Sequence, residues 1–181
     1  RRRGRDTCDL LHRITTADVR ALPVGAARAA VFCTPKGRMQ SSFRIALDGD
    51  GYLLAMASEL LQLQQADLNK YAVFSKSRLT DESADWCRFG LAGGDGSLVS
   101  LGLDLPLTAD SVVRSHGMIA IRLQDSRVEL WTPGADAEQV RTRLAAQLQE
   151  APVNRWLLDQ VRAGIGQVFG STRELFIPQM I

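Results

Sequence analysis

The stretch Ala29-Ala30-Val31-Phe32-Cys33-Thr34-Pro35-Lys36-Gly37-Arg38-Met39-Gln40-Ser41-Ser42-Phe43-Arg44-Ile45-Ala46-Leu47-Asp48-Gly49-Asp50-Gly51-Tyr52 holds two chain reversals between apolar runs. Residues 29–34 and 39–47 read as strands, joined by Pro35-Lys36-Gly37, where proline fixes one dihedral and glycine tolerates the turn. Asp48-Gly49-Asp50-Gly51 then reverses the chain into a third strand over 52–57. The expectation is a three-stranded antiparallel meander, which makes the protein sheet-based and antiparallel.

Upstream, residues 6–14 predict a short helix with Leu10, Leu11 and Ile14 on one face and Asp6 as its cap. Downstream, Ser58 is placed to cap a helix whose stripe is Leu60, Leu61, Leu63, Leu68 and Tyr71. Val73 and Ser75 read as a return to strand. Further strands are expected at 86–91, 118–123 and 128–131, with Asp125 and Ser126 turning the last pair. Asp136 with Gln139 three residues on reads as a capping box for a helix lined by Val140, Leu144 and Leu148. Pro152 opens a second helix at the position proline favours. Hairpins intermixed with helices, without regular βαβ alternation, define an α+β domain with antiparallel sheets. Gly93-Gly94-Asp95-Gly96 reads as a mobile surface connection.

The composition fits a packed domain: of 181 residues, 45% are hydrophobic and 23% charged, outside the range of disorder or disulfide scaffolds. A net charge of +2 creates no field that would select a polyanion, so direct nucleic-acid binding is not expected. The cluster Arg1, Arg2, Arg3 and Arg5 reads as a solvated terminus. Cys8, Cys33 and Cys87 cannot all pair within one chain and fall at no metal-ligand spacing, which points to a reducing compartment. No apolar run approaches the roughly 20 residues needed to span a bilayer. A cytoplasmic protein with no membrane partner is the expectation.

Several chemistries are excluded by spacing. Asp48, Asp50 and Glu59 occupy positions one, three and twelve of a calcium loop, but Leu53 stands where that loop needs glycine. Gly-x-Ser-x-Gly and phosphate-cradling glycine motifs are absent. His12 and His116 are too scattered for a legible nucleophile and base. Trp156 lies in helical phase with Val153, Leu157 and Val161, so its side chain faces something apolar. That is either a core it anchors or a flat heterocycle it stacks upon, and spacing does not choose between them.

Four stretches resemble the YgfZ family of folate-binding proteins, relatives of the glycine cleavage T protein. They are Thr16-Ala17-Asp18-Val19, Cys33-Thr34-Pro35-Lys36-Gly37-Arg38-Met39, Lys70-Tyr71-Ala72-Val73-Phe74-Ser75-Lys76, and Arg162-Ala163-Gly164-Ile165-Gly166 followed by Phe176-Ile177-Pro178-Gln179. The resemblance implies ferredoxin-like subdomains ringing a folate channel, here approximately residues 1–80 and 81–165 with 166–181 returning toward the first. It implies tetrahydrofolate as cofactor and, as partners, iron-sulfur enzymes such as a radical-SAM tRNA methylthiotransferase. By the same resemblance Trp156 matches a folate-contacting tryptophan; a second such tryptophan would lie upstream of Arg1.

Ser42 is the best match to a T-protein aspartate beside the folate nitrogens, and a hydroxyl cannot replace that ionised carboxylate. Aminomethyl transfer or demethylation of the T-protein type is therefore the alternative rather than the leading reading. A protein-interaction scaffold with a vestigial pocket is the third. Arg44, Arg78 and Arg122 are candidates for the glutamate tail of folate, against the reading of solvated strand arginines. The family's Lys-Gly-Cys-aromatic-x-Gly-Gln-Glu stretch should follow Gln179 and does not occur before Ile181, so the chain is expected to be a fragment. Chemistry that needs the cysteine of that stretch, and the small C-terminal barrel, are expected to be missing.

Overall fold

The structure is a computed structural model and describes every residue except Arg5, Phe74 and Ile181. One member of the N-terminal arginine cluster and one of the 70–76 stretch thus lie outside the described residues. Arg1–Thr80 together with Gly164–Ile181 form one compact unit, and Asp81–Ala163 form a second.

The first unit contains β1 (Arg2–Arg3), α1 (Thr7–Ile14), β2 (Ala27–Cys33), β3 (Met39–Asp48), β4 (Gly51–Met56), α2 (Leu61–Ala72) and β5 (Arg78–Leu79). Its sheet is antiparallel throughout, in the order β2-β3-β4-β1-β5. The expected meander is its centre: Phe43 on β3 faces Ala30 on β2 and Met56 on β4. Phe32 and Phe43 stack with ring centroids 4.4 Å apart. With Leu11, Ile45, Tyr52 and Leu68 they form the core under α1 and α2. Each such side chain contributes about 1.5–3 kcal/mol by leaving water.

Four expectations for this unit are corrected. The arginine cluster is not wholly a solvated terminus: Arg2 is 0% exposed, because its backbone completes the ladder between Tyr52 and Leu79. Asp6 makes no side-chain cap to α1; its carboxylate accepts the Lys76 amide instead. Val73 and Ser75 do not return as a strand, since the chain turns after α2 with the Ser75 amide on the Ala72 carbonyl, and only Arg78–Leu79 pair. The stripe of α2 is also shifted. Leu63 and Tyr71 are exposed while Gln64 is buried, because Gln64 accepts a hydrogen bond from the buried Ser41 hydroxyl.

Residues beyond Gly164 are bound to the same sheet. The Met39 amide donates to the Phe176 carbonyl and the Glu174 amide to the Met39 carbonyl. The Arg38 guanidinium donates to the Leu175 carbonyl, and the Gly170 amide donates to Glu59. Val168, Met39 and Leu60 are buried together, with Phe169 and Phe176 against them.

The second unit contains β6 (Trp86–Leu91), α3 (Asp95–Ser100), β7 (Val112–Ser115), β8 (Met118–Arg122), β9 (Val128–Pro133), α4 (Ala137–Ala145) and α5 (Val153–Arg162). Its antiparallel sheet runs β6-β9-β8-β7. One face packs Leu91, Met118, Ala120, Val128 and Leu130 against Leu98, Leu101, Val140 and Leu144. The chain is thus α+β with two antiparallel sheets, both open. The glycine-rich 93–96 region is not merely a connection: α3 starts at Asp95, and burial of Leu98 at 0% exposure holds it. Asp136 makes no side-chain cap to α4, which continues from a short 3₁₀ turn over Gly134–Asp136.

Candidate functional site

Trp156 sits on α5, behind Pro152, whose extended backbone precedes the first helical residue. The packing of α5 is unusual for so amphipathic a sequence. Val153 and Val161, which share the Trp156 stripe, are 72% and 74% exposed, Leu158 is exposed, and Gln160 is the buried residue of the helix. The apolar stripe therefore does not enter a core within this unit. Trp156 itself is half-buried.

Two residues hold its indole. Gly90, opposite Glu129 on the sheet face away from Leu91, Val128 and Leu130, has no side chain. A Cβ there would stand 2.4 Å from Trp156 Cε3 and 2.7 Å from Cδ2. A glycine inside a strand often marks such a close approach. Arg127 lies over the ring, with its guanidinium carbon 4.4 Å from the centroid. Its Nε donates to Asp125, one terminal nitrogen to the Trp156 carbonyl at 3.3 Å, and the other to Gln160 Oε1 at 2.8 Å.

Sequence reading found Trp156 and missed the residues that hold it. Arg127 follows the expected Asp125-Ser126 turn, and Gly90 interrupts an apolar strand; the second was the legible signal. Gln160, one turn after Trp156, was a polar residue on the same helix face as the indole.

The other predicted residues lie in different settings. Ser42 and Arg44 are two apart on β3, opposite Val31 and Ala29, in the first unit, whereas Trp156 belongs to the second. The Ser42 hydroxyl accepts the Val168 amide at 2.8 Å. Arg44 is buried. Arg78 is exposed on β5. Arg122 is buried, and its guanidinium donates to the Pro106 carbonyl, the Ser126 carbonyl and Asp95, so it clamps the loops of its own unit.

Cys8, Cys33 and Cys87 are free and half-buried, and burial pushes the Cys33 thiol up. Among the described residues no group of three His, Cys, Asp or Glu side chains is arranged to hold a metal. No helix is long and apolar enough to cross a membrane.

Comparison with known proteins gives a consistent result. No family model matches the chain. The tRNA-modifying protein YgfZ of Photorhabdus laumondii is 34% identical over 97% of this chain and 54% of its own length. Those of Serratia proteamaculans and Yersinia pseudotuberculosis are 30% and 29% identical over the same shares. The chain thus spans about half the length of the curated relatives it matches. The crystal structure of glycine cleavage system aminomethyltransferase T from Bartonella henselae superposes with a TM-score of 0.70 at 16% identity, over 81% of this chain and 42% of that one. In sequence the chain resembles the YgfZ proteins over nearly its whole length, and it is built on a fold shared with the glycine cleavage T protein.

Proposed function

We propose that the protein binds tetrahydrofolate with the pterin against Trp156, and that the bound form serves as a cytoplasmic accessory to iron-sulfur enzymes of tRNA modification, such as a radical-SAM methylthiotransferase. The observation that carries this reading is the setting of Trp156. Its indole is fixed by Gly90 and Arg127, while its stripe neighbours Val153 and Val161 remain in water. A rigid aromatic beside exposed apolar side chains suits a flat heterocycle, because the ring loses little further freedom on binding. The resemblance to relatives named as tRNA-modifying proteins supports the same reading. Ferredoxin-like subdomains around a channel are the framework that this family implies for it.

Aminomethyl transfer of the T-protein type ranks lower on a specific ground. At the position that best matches the T-protein aspartate, Ser42 has no ionisable group in the neutral range, and its oxygen already accepts the Val168 amide. Ser42 and Arg44 are therefore weaker folate contacts than Trp156.

The test is a calorimetric titration with tetrahydrofolate under reducing, anaerobic conditions, with Trp156→Ala in parallel. A loss of at least tenfold, about 1.4 kcal/mol, supports the folate reading. Saturable binding unchanged by the substitution returns Trp156 to a packing role. The accessory role is tested by measuring methylthiolated tRNA nucleosides in cells lacking the protein, where a normal level counts against it.

A further inference from the structure

We infer that Arg127 is a positioning residue: it fixes the Trp156 indole in its ligand-ready orientation and contributes no charge of its own to the ligand. This deepens the folate reading and rests on it. The Arg127 side chain is only 6% exposed, and its charge is met by Asp125. Its two terminal nitrogens are both spent on α5, one on the Trp156 carbonyl and one on Gln160. Three of its five N–H donors are so engaged, and with 6% of the side chain exposed the other two are poorly placed to recruit an anionic tail.

What distinguishes Arg127 from an ordinary structural clamp is its contact with the ring. Arg122, in the same sheet, also uses three nitrogens on its own unit, through Pro106, Ser126 and Asp95. Arg127 does this and in addition lies 4.4 Å from the centroid of the Trp156 ring. A cation over an indole attracts its π face, more strongly where water is excluded.

The hold of α5 on its sheet concentrates on these few groups. Val153, Leu158 and Val161 are exposed, so little apolar packing is left to define the rotation of the helix. Trp156 lies on Gly90, and Gln160 lies on Arg127. Removal of the guanidinium frees the carbonyl of Trp156, the next turn of the helix and the ring together. A preorganised ring raises affinity by lowering the entropy lost on binding, so its release lowers affinity although no ligand contact is deleted.

The experiment labels the chain with 5-fluorotryptophan and records the fluorine resonances of Trp86, Trp131 and Trp156, with Trp156→Phe assigning the last. Arg127→Met, Arg127→Lys and Trp156→Ala are each titrated with tetrahydrofolate. The expected result is that Arg127→Met shifts or broadens the Trp156 resonance, leaves that of Trp131 in place, and weakens binding at least tenfold. Arg127→Lys, which keeps a cation for the ring and for Asp125, recovers part of that loss.

An unmoved Trp156 resonance with native affinity in a folded Arg127→Met chain overturns the inference. So does a chain in which Trp156→Ala weakens binding and Arg127→Met does not; the folate reading then stands alone. If the unsubstituted chain binds no tetrahydrofolate, the folate reading fails, and the fluorine shift still decides whether Arg127 holds the ring. Should Arg127→Met fail to fold, Arg127→Gln, which removes the cation and keeps a polar side chain, decides: a displaced resonance with weakened binding supports the inference, and an unmoved one with native affinity overturns it.

Discussion

The Ser42 hydroxyl oxygen lies 2.8 Å from the amide nitrogen of Val168, 126 residues away in sequence, and accepts its hydrogen bond. Val168 is 1% exposed, so water cannot take over when the hydroxyl is removed. A buried donor left unpaired costs about 1–3 kcal/mol. Ser42→Ala is expected to lower stability by that amount and to speed hydrogen exchange at the Val168 amide, while Ser42→Thr retains most of the protection. Unchanged exchange in Ser42→Ala would show that the Met39–Phe176 pairing holds the segment without help.

Gly90→Ala tests the fit of the indole against β6. The φ of Gly90 is not in the left-handed region, so alanine suits its backbone and the effect is steric. The new Cβ would stand 2.4 to 2.7 Å from three indole carbons, closer than unbonded carbons approach. Overpacking of this kind costs about 1–3 kcal/mol, against a strand preference that otherwise favours alanine over glycine. The expected readout is a lowered denaturation midpoint with altered near-ultraviolet tryptophan dichroism. A native spectrum would mean that the ring moves aside without cost.

Arg2 carries an unusual burden, and its removal is expected to stabilise the protein. It is 0% exposed, its Nε donates to Ser77, and its two terminal nitrogens are buried without hydrogen-bond partners among the described residues. Burial pushes its guanidinium pKa down. Replacing buried ionic groups by apolar side chains of similar volume is often neutral or stabilising, by up to about 4 kcal/mol. Ser77 keeps the Thr7 hydroxyl as partner. Arg2→Met should therefore raise the urea midpoint; a fall would mean that the ion has compensation beyond these contacts.

How legible this protein was in its sequence followed the range of the interactions. The meander of β2, β3 and β4 was readable because its turns and alternation are local. β1 was not, since Arg2-Arg3 carries no apolar signal and becomes a strand only by filling the space between Tyr52 and Leu79. Gln64 on α2 was hidden for a similar reason, its partner Ser41 lying 23 residues away. Trp156 was visible from helical phase, but the same phase suggested a core for Val153 and Val161, which are exposed. The residues that fix the indole are 29 and 66 positions upstream, at Arg127 and Gly90; the glycine was a legible break in its strand, but the ring it admits lies beyond any local pattern.

The alkaline limit of stability should depend on Tyr52. Burial raises its phenol pKa, and the hydrogen bond and charge of Cys8 raise it further. Above the ordinary tyrosine pKa of about 10, the unfolded chain releases this proton and the folded chain keeps it. Stability contributed by the neutral phenol is then complete below pH about 10 and lost as pH rises toward the folded pKa. The slope from one proton is at most about 1.4 kcal/mol per pH unit. Tyr52→Phe should flatten the decline of the urea midpoint above pH 10; an identical decline would assign it to other groups.

Ser41 and Gln64 offer a test of paired burial. Ser41 is 0% and Gln64 3% exposed, and the hydroxyl donates to Gln64 Oε1 at 2.7 Å. Ser41→Ala alone leaves the amide oxygen buried without its donor, at a cost of about 1–3 kcal/mol. Gln64→Leu alone leaves a hydroxyl that can rotate toward another acceptor, so its cost should be smaller. The double substitution removes both polar partners, and apolar pairs of similar shape can be nearly neutral. A double-mutant cycle should then show a coupling of about 0.5–3 kcal/mol, with the double variant more stable than Ser41→Ala. Strict additivity of the two costs would mean that the hydrogen bond contributes nothing to the docking of α2 on β3, and that apolar contacts around Leu68 hold the helix unaided.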